Sequence, residues 1–286
     1  MNGILLALSI ALSAGRNLLS KKISSESFGT VGFFQLQAGT FGTGAAVLLL
    51  PALTVGEIPS LLTVLYALLY GLLLVGAQWC YTVALGGGNT AVCATVYSLG
   101  FILPTLSGMV FWNETVTLWK VFGIVAVFPA LILSGKKQNR NATEGLGSTL
   151  PLIIAMLCSG GLGILQKVQQ SSPYPQQRTT FVCIAFAAAA MLSLFCGIGK
   201  KSHKRAVPTF GMASAGVGAC FALCNLLNTF LAGRMDSTVF FPGLNVGTIL
   251  LSTVLGVLVF REKLSARHVA VLTLGTVSIL LINLPL

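Results

Sequence analysis

Amide and phenol side chains cluster near the ends of several long apolar runs in this sequence. Gln78 and Tyr81 lie late in one run, and Tyr97 lies early in the next. Asn225 and Asn228 are three residues apart, so they share one face of a helix. These groups donate and accept hydrogen bonds without carrying a charge at neutral pH. They could therefore bind a small polar solute.

An internal repeat relates several of these positions. Sliding the sequence along itself by 148 positions superimposes Cys80 on Asn228 and Tyr97 on Asn245. Phe241, just before Asn245, adds aromatic surface next to a proline that is expected to kink the helix. Two interpretations stay open. The amides could hydrogen-bond neighbouring helices together, or all of these groups could line a substrate cavity, which is the interpretation that we favour.

Arg16 and Asn17 interrupt the first apolar run. Arg16 lies five residues before Lys21, which marks the charged end of that run. Its side chain could extend along the helix to the membrane surface. Alternatively, it could be a cation in a substrate cavity or at a cytoplasmic gate, because charged residues within membrane helices often mark transport pathways. We include Arg16 and Asn17 among the candidate substrate-binding residues.

Two glutamates, Glu114 and Glu262, are also separated by 148 positions, and each follows a glycine at the same distance, Gly108 or Gly256. Both lie between apolar runs, where a carboxylate can cap the start of the next helix or pair with a cation that is close in the sequence. We expect this structural role rather than proton transport. The sequence shows no cluster of acids, bases or metal ligands, so we expect neither an enzyme nor a bound metal or cofactor.

The composition indicates what positions these side chains. Apolar residues make up 55% of the 286 residues, charged residues make up 8%, and the mean hydropathy is +0.90. A soluble domain has about 25% charged residues. Apolar runs of about 20 residues are long enough to cross a bilayer as helices. An outer-membrane barrel would show alternating polarity, which is not present, so the sequence predicts an all-α membrane protein.

Ten apolar runs give the predicted transmembrane helices. They cover residues 2–21, 31–51, 60–85, 90–112, 116–135, 150–170, 179–197, 208–232, 237–260 and 265–284. A basic linker at 136–149 separates a first five-helix repeat, 1–135, from a second one, 150–286. Because five is an odd number, the second repeat must cross the membrane in the opposite direction to the first. Inverted repeats of this kind are common in secondary transporters.

The positive charges predict the orientation in the membrane. Twelve Lys and Arg residues fall in the first, fifth, seventh and ninth connections, and four fall on the opposite side. The more basic side is expected to be cytoplasmic, which places both termini on the non-cytoplasmic side of the cell membrane. This asymmetry accounts for the net charge of +11, so we expect no nucleic-acid partner.

The order of residues in each repeat resembles the drug/metabolite transporter superfamily, and in particular its EamA-like family. Pro104, Gly108, Glu114 and Gly123 match the pattern in the first half, and Gly256, Glu262 and Gly275 match it in the second. Ser252 replaces the expected proline, and Arg16 lies where a small residue is usual. The resemblance covers the whole chain and implies a multi-pass transporter.

A small polar solute is the expected partner, together with the lipid bilayer. The absence of Asp and Glu deep in any run argues against exchange of cations for protons, which usually needs an embedded carboxylate. We therefore expect a neutral, zwitterionic or anionic metabolite, moved by alternating access. A lipid-linked-sugar flippase and a non-transporting membrane scaffold are the alternatives. Both halves are present in one chain, so a monomer could suffice, and a homodimer stays open.

Overall fold

The computed structural model describes residues 2–23, 30–56, 58–87, 90–114, 117–135, 146–197, 208–260 and 266–282. Within these ranges the chain is helical, with short turns and no strand. The α-helices are α1 (Asn2–Ile23), α2 (Thr30–Val55), α3 (Leu61–Gly87), α4 (Thr90–Ser98), α5 (Ile102–Phe111), α6 (Leu118–Gly135), α7 (Leu146–Ser171), α8 (Arg178–Gly197), α9 (Pro208–Ala232), α10 (Ser237–Phe260) and α11 (Ala266–Ile282).

Each predicted apolar run overlaps a helix in the part of the chain that the structure describes. Helix α9, Pro208–Ala232, has the bounds of the predicted run 208–232, and its first residue is a proline, which suits the first turn of a helix. Helix α7 begins at Leu146, four residues before the predicted start at 150. Long apolar segments become helices because the backbone then satisfies its own hydrogen bonds without water.

One predicted run is not a single α-helix. The run 90–112 contains α4, a 3₁₀ turn at Leu99–Phe101 and α5. Pro104 contributes to the break, because a proline ring clashes with the carbonyl four residues earlier, which here belongs to Gly100. Gly100 also lies against α7, where an added Cβ would be 2.9 Å from the carbonyl oxygen of Met156.

Six helices in the described part of the chain are long and apolar enough to cross a membrane. These spans are Gly32–Thr54, Leu61–Leu85, Thr149–Ser171, Pro175–Gly197, Ser214–Ala232 and Ser237–Leu255. Val96–Phe111 and Leu118–Pro129 are shorter apolar helices. Large apolar side chains such as Leu50 and Phe111 are about three-quarters exposed, at 73% and 74%. These features fit an all-α membrane protein. The sequence predicts ten transmembrane helices, whereas six candidate spans are found in the described part of the chain.

The chain forms two compact units. Unit 1 contains Gly3–Val75 and Val168–Phe230, and therefore α1, α2, α8, most of α9 and the first part of α3. Helices α2 and α8 pack together extensively. The rings of Phe41, Phe186 and Phe221 lie within 6.1 Å of one another. An added Cβ on Gly44 would overlap Phe186. Small residues of this kind allow membrane helices to approach closely.

Unit 2 contains Gly76–Lys167 and Leu231–Leu286. Its main contacts join α6 to α11 and α10 to α5 and α11. The Ser278 hydroxyl on α11 donates a hydrogen bond to the Gly123 carbonyl on α6, at 2.7 Å. Gly163 on α7 allows the side chains of Pro104 and Phe241 to approach closely.

Each unit takes helices from both sides of the linker 136–149. The predicted repeats, 1–135 and 150–286, are consecutive stretches of the sequence. The two units are instead groups of helices that pack together, and each contains helices from both repeats. The division into two repeats therefore stays a prediction. The linker itself falls mostly outside the described residues, as do Glu262 and the connection around 198–207.

Candidate functional site

Polar side chains of α1 and α9 face each other in unit 1. The Ser9 hydroxyl donates to Oδ1 of Asn228 at 2.5 Å, and the Ser13 hydroxyl lies 2.9 Å from Sγ of Cys224. The Arg16 guanidinium carbon lies 4.1 Å from the centre of the Phe221 ring. Positions along α1 rise while those along α9 fall, so the helices pair antiparallel. We call these six residues the α1–α9 polar seam.

Tyr70 on α3 fixes the other asparagine of α9. Its hydroxyl donates to Oδ1 of Asn225 at 2.6 Å, and Nδ2 of Asn225 donates to the Phe221 carbonyl at 2.8 Å. Tyr70 is 1% exposed, and its ring packs against Phe181 with the centroids 5.2 Å apart. The Asn225 amide is therefore held in one orientation, and it joins α3 to α9.

The thiol of Cys224 has four polar neighbours. Besides Ser13, the Ser9 hydroxyl and Nδ2 of Asn228 each lie 3.5 Å from its sulfur, and the thiol itself donates to the Ser9 carbonyl at 3.7 Å. Sulfur is a weak hydrogen-bond acceptor. The polar groups of the seam therefore converge on an atom that holds them only loosely.

Arg16 is the cation of the seam. It is half-buried, and no Asp or Glu occurs among the described residues of unit 1. Arg178, at the start of α8, likewise lies over an aromatic ring, with its guanidinium carbon 4.7 Å from the centre of Phe230. Asn17 lies beside Arg16 on α1 and its side chain is exposed.

In unit 2 the two candidate tyrosines form a pair. The rings of Tyr81 and Tyr97 lie 4.7 Å apart at an angle of 45°, and both residues are half-buried. Tyr81 packs against a small buried cluster that contains Ala84, Cys93 and Leu152. The pair thus presents two phenol groups side by side on α3 and α4.

The remaining candidates of unit 2 differ in how they are held. The Asn245 amide donates to the Ser98 carbonyl at 2.8 Å, where α4 meets the 3₁₀ turn. Phe241 is buried edge-on against Phe240 at 4.8 Å. Gln78 is half-buried on α3. Asn245 therefore joins α10 to the break that Pro104 introduces.

A buried ion pair lies near the start of α10. The Glu114 carboxylate is 2.9 Å from the Lys167 ammonium, and the two side chains are 6% and 11% exposed. Glu114 also accepts hydrogen bonds from the Ser237 hydroxyl, at 3.0 Å, and from the Thr238 backbone N–H, at 3.2 Å. Glu114 therefore has a structural role, as expected, but the expectation that it caps the next helix or pairs locally was wrong. The helix that it caps is α10, in the other half of the sequence.

The surroundings of Glu114 keep it charged. Burial alone would raise its pKa, but the hydrogen bonds at Ser237 and the ammonium of Lys167 outweigh burial and lower the pKa below the ordinary 4.5. Asn113, just before it, has a positive φ of 48°. A Cβ on Gly108 would lie 2.6 Å from both Oε2 of Glu114 and Cβ of Ser237. The glycine of the repeated Gly–Glu pattern therefore makes room for the cap.

Lys167 has further contacts at this junction. Its ammonium also donates to the Met235 carbonyl at 3.2 Å and lies 6.0 Å from the centre of the Trp112 ring. A second, more exposed ion pair joins Lys120 to Asp236 at 3.1 Å. Glu114 and Asp236 are the acidic residues that the structure describes, and each pairs with a lysine.

Four sequence-predicted residues lie in unit 1 and five lie in unit 2. The first set is Arg16, Asn17, Asn225 and Asn228, and the second is Gln78, Tyr81, Tyr97, Phe241 and Asn245. Sequence reasoning missed Ser9, Ser13 and Tyr70. Ser9, Ser13 and Arg16 are spaced i, i+4 and i+7, which places them on one helix face. From this spacing, the three polar residues that α1 contributes to the seam could have been predicted.

Comparison with known proteins identifies the fold and no activity. No protein-family model matches the sequence. An uncharacterized protein of Haemophilus influenzae is 29% identical over 170 residues, which cover 58% of this chain and 57% of that protein. The matched region thus spans little more than half of the relative. A crystal structure of a protein that is 18% identical matches with a TM-score of 0.80, covering 99% of this chain and 96% of that one. At that identity the likeness shows the fold alone.

Proposed function

We propose that the protein is a secondary transporter that moves a small polar metabolite across the membrane by alternating access. The observation that carries the proposal is Arg16. It is a half-buried cation within α1, which is one of the ten predicted transmembrane helices although it is not one of the six candidate spans, and the described residues of its unit include no carboxylate. In a transmembrane helix such a charge is costly and commonly marks a substrate or ion pathway. The adjoining hydroxyl and amide groups of the α1–α9 polar seam support the same proposal.

The proposed architecture is ten transmembrane helices in two inverted five-helix repeats, as in the EamA-like family of drug/metabolite transporters. The ten apolar runs and the 148-residue sequence repeat support it. The Gly108–Glu114 pair adds support, because in the first copy of the pattern the glycine makes room for the carboxylate that caps α10. The charge asymmetry supports a cell-membrane location with both termini on the non-cytoplasmic side.

The proposed cargo is neutral, zwitterionic or anionic. Glu114 and Asp236 lie outside the six candidate spans or at the end of one, and lysines neutralise both. Neither is placed to exchange a proton for a cationic drug within a membrane helix. Amide, phenol and guanidinium groups suit a solute that carries oxygen acceptors. Tyr81, Tyr97 and Gln78 are the proposed contacts in unit 2, with Asn245 and Phe241 on α10.

Uptake into proteoliposomes tests the proposal. The full chain would be reconstituted and offered radiolabelled amino acids, organic acids and nucleosides, with and without a proton gradient. We expect saturable uptake of at least one class, and we expect Tyr97→Ala and Asn245→Ala to lower it at equal protein content. Tyr66→Phe, a half-buried tyrosine on α3 outside the proposed contacts, is the matched control.

Three outcomes would contradict the proposal. Acid-driven antiport of quaternary ammonium ions would contradict the cargo class. Movement of labelled lipids between leaflets without solute uptake would indicate a flippase. A correctly folded chain that moves neither solutes nor lipids would indicate a membrane scaffold.

A further inference from the structure

We infer that the solute carries a carboxylate, and that Arg16 binds this group together with hydrogen-bond donors of the α1–α9 polar seam. The inference rests on the proposed transport function and narrows its cargo class. A guanidinium presents five N–H donors in a planar fork. The Phe221 face attracts the positive charge but offers no oxygen to those donors. A carboxylate can accept two parallel hydrogen bonds from the fork.

Arg16 and Arg178 both lie over an aromatic ring of α9, but they differ in their position along their own helices. Arg178 is the first residue of α8, next to the exposed Pro175 and Gln176, where water can satisfy its donors. Arg16 lies fourteen residues after the start of α1 at Asn2. The same aromatic contact therefore occurs at a helix end in one case and within a helix in the other. Only Arg16 lies beside a polar seam.

The seam supplies further donors. The Ser13 hydroxyl and the Asn228 amide both approach the Cys224 sulfur, at 2.9 and 3.5 Å. Because a thiol is a weak acceptor, these donors lose little when they turn to an anionic oxygen, to which hydrogen bonds are shorter and stronger. Ser13 precedes Arg16 by three residues, so the two side chains share a helix face. One anionic group can thus receive donors from Arg16 and Ser13 of α1.

The charge of the seam favours a carboxylate over a phosphate monoester. Arg16 is its single cation, and one positive charge matches a singly charged carboxylate. A phosphate monoester carries close to two negative charges at neutral pH. It would keep an unmatched negative charge in an apolar environment, which is strongly unfavourable. Lipid head-group phosphate is the other source of an anion near a membrane helix, and the test includes it.

Thermal unfolding of the full chain in detergent measures binding, because a bound ligand stabilises the folded state. The probes are acetate, benzoate and L-leucine, each compared with its uncharged or cationic amide: acetamide, benzamide and L-leucinamide. Inorganic phosphate and phosphatidylglycerol are separate arms. We expect at least one carboxylate to raise the melting temperature, and its amide to bind about tenfold more weakly or worse.

Variants assign the effect to the seam. Arg16→Gln should abolish the preference for carboxylate over amide, and Arg16→Lys should keep the preference with weaker binding. Arg178→Gln, the matched control, should bind like the unmodified protein. Cys224→Ser supplies a stronger competing acceptor and should weaken carboxylate binding. Folding of each variant is checked by its melting temperature without ligand.

The inference is overturned if no carboxylate stabilises the protein, if amides stabilise it equally, or if Arg16→Gln keeps the preference. Stabilisation by phosphate or phosphatidylglycerol alone, dependent on Arg16, also overturns it and indicates a phosphate group. Uptake of uncharged solutes with no carboxylate binding would contradict the inference and leave the transport proposal intact. Carboxylate binding without transport of any solute would contradict the transport proposal instead.

Discussion

The Glu114 carboxylate lies 2.9 Å from the Lys167 ammonium, although 53 positions separate the two residues in the sequence. This pair and the two hydrogen bonds from the start of α10 connect three segments of unit 2. Glu114 therefore joins these helices through its ion pair and hydrogen bonds. Its partners make it a poor proton carrier, since the charged form is the stabilised one.

Removing one member of the pair should destabilise the protein strongly. Glu114→Gln or Lys167→Met leaves an unmatched buried charge, which costs about 3 kcal/mol. The double variant should lose much less than the sum of the two, because neither charge remains. Thermal unfolding in detergent measures the differences. Lys120→Met, which breaks the more exposed pair with Asp236, should cost at most about 1 kcal/mol. Additive losses in the double variant would contradict the assigned ion pair.

Stability should fall on acidification, and Glu114 should contribute to the fall. Its pKa in the folded protein is below the ordinary 4.5, so its contribution is fully present above that pH. The contribution is lost as the pH falls through the lowered pKa, because protonation removes the charge that pairs with Lys167. The melting-temperature difference between the unmodified protein and Glu114→Gln should therefore shrink below pH 4.5. A difference that grows there would reverse the sign and contradict the prediction.

Gly108→Ala should weaken the cap of α10. The added methyl group would lie 2.6 Å from the Glu114 oxygen and from the Ser237 Cβ, so the carboxylate or the helix must move. Overpacking of this kind costs about 1–3 kcal/mol. Gly243→Ala on α10 is the matched control, because an added Cβ there meets nothing within 4 Å. It should be neutral or stabilising by up to about 1 kcal/mol, as is usual for Gly→Ala within a helix.

Tyr70→Phe should destabilise unit 1 by about 1–3 kcal/mol, because the buried Asn225 oxygen loses the Tyr70 hydroxyl as a donor. The ring contact with Phe181 would remain, which isolates the hydroxyl as the cause. Tyr66→Phe, one turn earlier on α3, should have a smaller effect because Tyr66 is only half-buried. The measurement is again thermal unfolding. Equal losses for the two variants would contradict the proposed role of the Tyr70–Asn225 bond.

Helix positions could be predicted well from the sequence, because the length of an apolar run is set by the thickness of the bilayer. The run 208–232 is an example, since α9 has the same bounds. The break at Leu99–Phe101 was harder to predict. Proline can kink a helix, interrupt it or be accommodated, and the outcome depends on what packs nearby. Here α7 lies against Gly100.

The partners of the candidate residues could not be predicted from spacing. Asn225 and Asn228 share a helix face as expected, yet they bond to different helices, α3 through Tyr70 and α1 through Ser9. Ser9 and Cys224 are 215 positions apart, and a contact of that range depends on which helices pack together. The role of Glu114 as a helix-junction residue was predictable. Its partners on α7 and α10 were not.

The antiparallel pairing of α1 with α9 fixes the number of residues between Ser9 and Arg16. Ser9 pairs with Asn228, Ser13 with Cys224 and Arg16 with Phe221, so the two numbers in each pair have the same sum. One inserted residue between Ser9 and Arg16 would turn Arg16 by about 100° around the helix axis. A relative that has a gap in this interval of an alignment would therefore lack the seam, whereas gaps in the connections between helices would leave it unchanged.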